Sequence, residues 1–429
     1  MRVIKWVGFN LMHNLSVLNH AAFKEMYRSA AEHLVKEYHY PDKLLERQFD
    51  PDFAIRGLLF DTRNGILMKS TFLSTVLSGA AFLGRQQVDD STLERLYPGM
   101  TITQADLRAM KHFADPYGGL YATLVSDIIQ LFHETGRSYH PHYVYQDVMH
   151  TMSVLQRGNI EPKHIVPKNI HDLLLSLRNS GRKTFMLTNQ AFPFVDKALQ
   201  HLVKPHMKEP ENWPSLFDVS ICSAARPSWW LSDAPFRSLN TVTQKTRWIP
   251  VTELRQGHVY VGGSFQEFMR LANAGGSSRE VLYMTAVTSA LPHIAGGDPI
   301  QDLALPSSLG WRTGAVIPEV DVEVESVGSA VYKKALVKLL DLERSSTQDP
   351  HEQYDSASRA ALLQTRDTLK AVLNKNFGSA FRSLGGHTHF AHQLLRFADV
   401  YTGRAENLRI VTESFLRPLR RSLPHEPFV

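Results

Sequence analysis

The sequence predicts an α/β protein. Its core is a doubly wound parallel sheet with a mainly helical insertion after the first strand and a helical C-terminal tail. Three observations carry this reading. A short apolar run opens the chain at Val3–Phe9, an Asn-Gly turn separates two β-prone runs at residues 64 and 65, and from about residue 167 short apolar runs alternate with helical ones. Short apolar strands spaced by helices are what a parallel sheet covered on both faces requires.

Val3–Phe9 reads as a buried strand and Asn10–His20 as an Asn- and His-rich loop. A helix follows over Ala21–Tyr38, with Phe23, Met26, Tyr27, Ala30 and Leu34 at helical spacing. Between Ile55 and Lys69, the Asn64-Gly65 pair flanked by apolar runs predicts a β-hairpin. Residues 100–160 read as helical and rich in His and Tyr, with no strand of comparable quality. Next come a helix (Ile170–Asn179), a strand leading from Lys183 to Asn189 and a helix (Phe194–Val203), then apolar runs at Phe217–Ile221, Val281–Met284 and Thr313–Ile317. The chain beyond 330 reads as helical, with a polar stretch at 343–370 forming a solvated helix pair. This divides the chain into a first strand and helix (1–40), a hairpin and helical cap insertion (41–165), the remainder of the core (166–330) and a helical extension (331–429).

Composition excludes several classes. Over 429 residues, 43% are hydrophobic and 21% charged, enough apolar surface to offset chain entropy and rule out a disordered chain. The 25 glycines and 22 prolines follow no period, which excludes collagen-like structure. No apolar run approaches the roughly 18–20 residues of a membrane-spanning helix. Cys222 is the sole cysteine, so neither an intrachain disulfide nor a multi-cysteine metal site can form, which fits a reducing compartment. A net charge of +5 and a pI near 9.1 give a mild basic bias, compatible with RNA, an acidic partner or an ordinary matrix protein alike. No Arg/Ser-rich leader precedes the strand that begins at Val3, so any targeting peptide is expected to be absent or removed.

In such a sheet, ligands bind beyond the carboxyl ends of the strands. That directs attention to four loops: after Phe9, at Thr188-Asn189, at Ala225-Arg226 and after Met284. Around them stand, in order, Ile4–Phe9, Ile55–Leu58, Phe185–Asn189, Phe217–Val219, Tyr260–Ser264, Val281–Tyr283, Gly310–Gly314, Pro318-Glu319, Phe377–Arg382 and Arg396–Tyr401. With this ordered set the chain resembles the cytosolic purine 5′-nucleotidase type of the haloacid-dehalogenase (HAD) superfamily. Its nearest likeness is to the 5′-nucleotidase domain-containing proteins, some of which are mitochondrial. The resemblance implies a HAD-like fold. It also implies an aspartate nucleophile after the first strand, with an acid/base aspartate two residues on. Thr or Ser after the second strand and Lys at the third loop would stabilise the phosphoryl group. Aspartates after the fourth strand would complete an Mg²⁺ site.

The chain departs from that pattern where the chemistry lies. Asn10 holds the nucleophile position, Met12 the acid/base position and Ala286 the first acidic position after the fourth strand. An amide is a poor nucleophile and a poor Mg²⁺ ligand, a thioether transfers no proton, and a methyl group coordinates nothing. Asp298 or Asp302 approximates the second acidic position across a stretch longer than the family's. The loop lysine stands as Arg226, which keeps the charge but not the point-charge geometry, while Thr188 and Asn189 match directly. His13, one residue beyond Met12, is a candidate phosphoryl acceptor, with a polar loop histidine as the plainer reading.

Other groupings are weaker. His387, His389 and His392 have ligand-like spacing but coincide with a helix start. His133, His140, His142 and His150 read as surface residues of the insertion. Gly275–Ser278 is a turn without a phosphate-loop context, and Gly262-Gly263-Ser264 does not make a nucleophile elbow. Trp229 and Trp230 are expected to pack beneath the third loop, and Arg417, Arg420 and Arg421 read as a solvated basic face.

The expectation is therefore a catalytically inactive 5′-nucleotidase-like subunit of a larger assembly, placed in mitochondria, with no cofactor and no metal. Its partners are expected to be proteins, with RNA on its basic faces in a ribonucleoprotein, and a homo-oligomer is the rival picture. One alternative is an Mg²⁺-dependent nucleotidase acting on purine monophosphates, cytoplasmic if not mitochondrial. Another is a metal-independent phosphate- or nucleotide-binding module using Thr188, Asn189 and Arg226.

Overall fold

The computed structural model describes residues 3–156, 161–206, 212–272, 278–287, 301–347, 356–383 and 386–411. In chain order the strands are β1 (Trp6–Phe9), β2 (Leu58–Asp61), β3 (Ile66–Ser70), β4 (Val76–Leu83), β5 (Gln86–Gln87) and β6 (Met110–Phe113). They continue with β7 (Lys183–Leu187), β8 (Val219–Cys222), β9 (Phe236–Leu239), β10 (Thr246–Pro250), β11 (Val259–Gly262) and β12 (Val281–Thr285). The last are β13 (Arg312–Val316), β14 (Arg382–Ser383), β15 (Gly386–His387) and β16 (Val400–Thr402).

The chain folds into two compact units. One comprises residues 1–26, 152–317 and 393–429, the other 27–151 and 318–392. The boundaries drawn from the sequence run differently: residues 27–40 and 318–392 belong with the insertion rather than with the core and tail.

The first unit is built on a nine-stranded sheet in the order β10-β9-β11-β8-β7-β1-β12-β13-β16. From β11 to β16 every neighbouring pair is parallel, and β9 and β10 extend one edge antiparallel. The doubly wound parallel core is thus as the sequence predicts. Its central strand β1 is buried at every residue, which explains its continuous apolarity. Gly8 lets Phe185 lie flat against β1, since a Cβ there would come within 2.1 Å of the ring. Phe185 then anchors an aromatic core with Trp6, Phe268, Tyr283 and Trp311. β9, β10 and β16 carry weak sequence signals: two mixed-polarity runs and one of three residues.

The second unit contains a five-stranded antiparallel sheet, β5-β4-β3-β2-β6. The expected hairpin is β2–β3, turned at Asn64-Gly65 with Gly65 at φ +73°. Asp61 ties the turn, accepting from the Arg63 N–H at 2.9 Å and the Asn64 amide at 2.7 Å. β6 falls within 100–160, the stretch read as helical with no strand of comparable quality. Its buried residues, Met110 and Phe113, stand three apart, a helical spacing, and only pairing with β2 makes the segment extended. The expected helix pair is present, shifted outward: Ala330–Thr347 packs against Ser356–Leu373. Among the described residues, no helix is long and apolar enough to cross a membrane.

Candidate functional site

The chain order reverses around β1, with β7 on one side and β12 on the other, which makes the carboxyl ends of these three strands the switch point of the sheet. Register makes the convergence concrete: Phe9 lies opposite Met186 on one neighbour and Met284 on the other. Asn10, Thr188 and Ala286 therefore emerge at one end of the sheet, and the Asn10 N–H donates to the Met284 carbonyl at 3.1 Å. The third loop joins them through β8. The Thr188 N–H donates to Ile221 and the Ala224 N–H to Thr188, each at 3.0 Å.

These loops are strained. His13, Ser223, Ala225 and Val287 all have φ between +48° and +58°. They are half of the eight non-glycine residues with positive φ among the described residues. For a β-branched residue such as Val287 this conformation is a true outlier, and each such residue costs of order 1–3 kcal/mol.

The side chains are enclosed. Asn10, Met12, Thr188, Arg226 and Ala286 are all buried, whereas Asn189 is exposed. Met12 is turned into its own loop, where the Ser16 hydroxyl approaches its sulfur at 3.4 Å. The Thr188 hydroxyl accepts from the Gln190 N–H at 3.2 Å. Asn189 clamps the third loop: its amide donates to the Arg226 carbonyl at 3.1 Å and accepts from the Arg226 N–H at 2.8 Å.

The Arg226 guanidinium turns inward. One of its nitrogens lies 2.8 Å from the Asp302 carboxylate and 2.7 Å from the Tyr283 hydroxyl. Burial pulls the guanidinium pKa down, but the Asp302 charge and Tyr283 more than offset this, leaving it above its ordinary value. Burial pushes the Tyr283 phenol well above its usual range. Beneath the pair lie Trp229 and Trp230, as expected, with Trp230 packed on Tyr283 and Trp311 at 5.4 and 5.3 Å between ring centroids.

Sequence reasoning missed two members. Tyr283 sits in a strand and stood out only as part of the Val281–Tyr283 run, with no role of its own. Asn14 is fully buried with both amide atoms lacking a hydrogen-bond partner among the described residues. The remaining candidates disperse. Ser264 caps the helix Phe265–Leu271 by accepting from the Glu267 N–H at 3.2 Å. The His392 ring stacks on Phe72, whereas His389 lies edge-on to His112. His133, His140 and His150 lie on the surface, with His142 half-buried beside them. Cys222 is buried in β8, its thiol pushed up to about 12 by burial and then by Asp196. Gly275–Ser277, Asp298, Arg417, Arg420 and Arg421 lie outside the described residues.

The resemblance implies Mg²⁺, and the donor set can be tested against it. Octahedral Mg²⁺ wants hard oxygen ligands, usually carboxylates. The loops offer an amide at Asn10, a thioether at Met12 and a methyl at Ala286, and the Asp302 carboxylate already faces Arg226. Among the described residues, no group of three or more His, Cys, Asp or Glu could hold a metal ion. These residues do not fit the ion.

Residues 1–428 match the 5′ nucleotidase family. A 5′-nucleotidase domain-containing protein of Dictyostelium discoideum is 30% identical over 438 residues, covering 98% of this chain and 72% of that protein. The chain belongs to the 5′-nucleotidase family. Human 5′-nucleotidase domain-containing protein 2 is 28% identical over 452 residues, covering 99% of this chain and 83% of its own. The rat protein of the same name is 29% identical over 445 residues, covering 98% and 77%. Among solved structures, an L-2-haloacid dehalogenase from Xanthobacter autotrophicus matches 96% of this chain and 99% of its own at 11% identity, with a TM-score of 0.26. In this 5′-nucleotidase-family chain the convergent loops and their strained backbone stand at the switch point, and the side chains there are an amide, a thioether and a methyl.

Proposed function

We propose that this 5′-nucleotidase-family protein is catalytically inactive and acts as a structural or interaction subunit of a larger assembly. The observation that carries the reading is the chemistry of the convergent loops. Where phosphoryl transfer through an aspartyl phosphate needs a nucleophile and an acid/base, the chain has Asn10 and Met12. Losing members of such a cooperating set costs several orders of magnitude in rate. The Arg226–Asp302 pair supports the same reading, because the Asp302 carboxylate already neutralises the charge that would stabilise a transferring phosphoryl group. The strained loops persist without that chemistry, which fits a fold kept for its surfaces. The basic balance, with a pI near 9.1, favours acidic proteins or RNA as partners, and a mitochondrial ribonucleoprotein is the assembly we propose.

The purified chain, incubated with inosine, guanosine and adenosine monophosphates in Mg²⁺, should release no phosphate above the uncatalysed background. Turnover that vanishes on Asn10→Ala would overturn the proposal and establish the Mg²⁺-dependent nucleotidase instead.

A further inference from the structure

The antiparallel edge of the nine-stranded sheet differs in character from the rest of the first unit. Residues 240–250 are exposed without interruption, covering the β9–β10 turn and all of β10. Three of them are large and apolar: Val242 is 89% exposed, Trp248 84% and Ile249 56%. The other five tryptophans are each 6% exposed or less. Aromatic and arginine side chains are what protein interfaces concentrate.

Among the described residues, β10 has a strand neighbour on one side only, so its outer backbone groups face outward. Residues 236–250 carry Arg237, Lys245 and Arg247 and no carboxylate. A cavity of about 530 Å³ lies against the hairpin, lined by Val242, Arg247, Ile249, Glu253, Arg255 and His258 among others. Its one carboxylate, Glu253, lies 3.0 Å from Arg255.

These features select an occupant. A free strand edge matches another backbone, and of the three exposed apolar side chains only Trp248 offers a face for a base to stack on, so a protein segment fits better than nucleic acid. A second copy of the chain would set three cations against three more, and like charges facing across a strand pair repel. We propose that the free edge of β10 and the groove beside it take an extended acidic segment of a partner protein. The segment pairs with β10 as an added strand, its carboxylates facing Lys245 and Arg247 and, on the opposite face, an apolar side chain against Trp248. The nucleotide assay reads the loops beyond β1, whereas this proposal is read at Trp248, so either can fail alone.

Trp248 supplies the probe, because acrylamide reaches an exposed indole long before buried ones. The full chain is titrated with a peptide of about ten residues, an ordinary strand length, alternating glutamate with valine. Parallel titrations use lysine in place of glutamate, the acidic peptide interrupted by proline, and a short oligouridylate. The acidic peptide should shield Trp248 saturably, and the lysine and proline versions should not. Trp248→Phe should remove the signal without disturbing the near-ultraviolet dichroism, and Lys245→Glu with Arg247→Glu should weaken binding at least about tenfold. Shielding by the oligouridylate alone, concentration-dependent shielding with a doubled mass in the absence of peptide, or no shielding by any probe would each overturn the proposal.

Discussion

At the scale of single residues, Arg226 and Asp302 are the most consequential pair at the switch point. Both side chains are almost wholly buried, at 4% and 6% exposure, and they are 76 positions apart in sequence. Removing one member of a buried ion pair strands a charge in a poor solvent and costs about 3–5 kcal/mol, whereas replacing both with apolar groups is often neutral. Asp302→Ala should therefore lower the thermal midpoint sharply, and adding Arg226→Met should recover most of the loss. Differential scanning calorimetry of the two variants checks this, and equal losses would show that the charges are not coupled. The sequence displayed Arg226 as a loop cation and Asp302 as an approximate acidic position, but not that they would meet. Such a contact depends on how far the helix Gln301–Ser308 reaches toward the third loop, and no local periodicity encodes that.

At the scale of elements, legibility followed burial. β1, β7, β8, β12 and β13 lie inside a sheet covered on both faces, so their apolar runs announced them. β10, exposed along its whole length, and β6, with buried residues at helical spacing, owe their conformation to pairing rather than to composition. The same logic explains why the loop positions were readable: each departure from the family pattern lies within a turn of the end of one of the readable strands. Element packing also makes a prediction at Gly8. A Cβ there would lie 2.1 Å from the Phe185 Cζ, and Phe185 is itself fully buried in the aromatic core. Overpacking of this kind costs about 1–3 kcal/mol, so Gly8→Ala should destabilise by at least that much in urea titration. Combining it with Phe185→Leu should cost less than the sum of the two single changes, since the clash disappears with the ring.

At the scale of the whole molecule, neither compact unit is a continuous stretch of chain. The first is assembled from three segments and the second from two. The parallel sheet is closed on one side by β16, which pairs with β13 over Gly314–Val316. Asp399, just before β16, accepts from the Arg312 guanidinium at 2.8 Å and the Thr313 N–H at 2.9 Å. On a ribosome these contacts are made late. While residues 312–316 are already available, the strand that covers their outer edge is still some 80 residues from synthesis, and an uncovered apolar parallel edge is a template for aggregation. The nascent chain must therefore be shielded over that late stretch of its translation, or hold β13 back from the sheet until Val400 emerges. A chain stopped after Ala398 should accumulate as insoluble material to a greater extent than the full chain, which fractionation of freshly translated product would reveal. Equal solubility of the two would mean that the sheet tolerates an open edge and that its order of assembly is free.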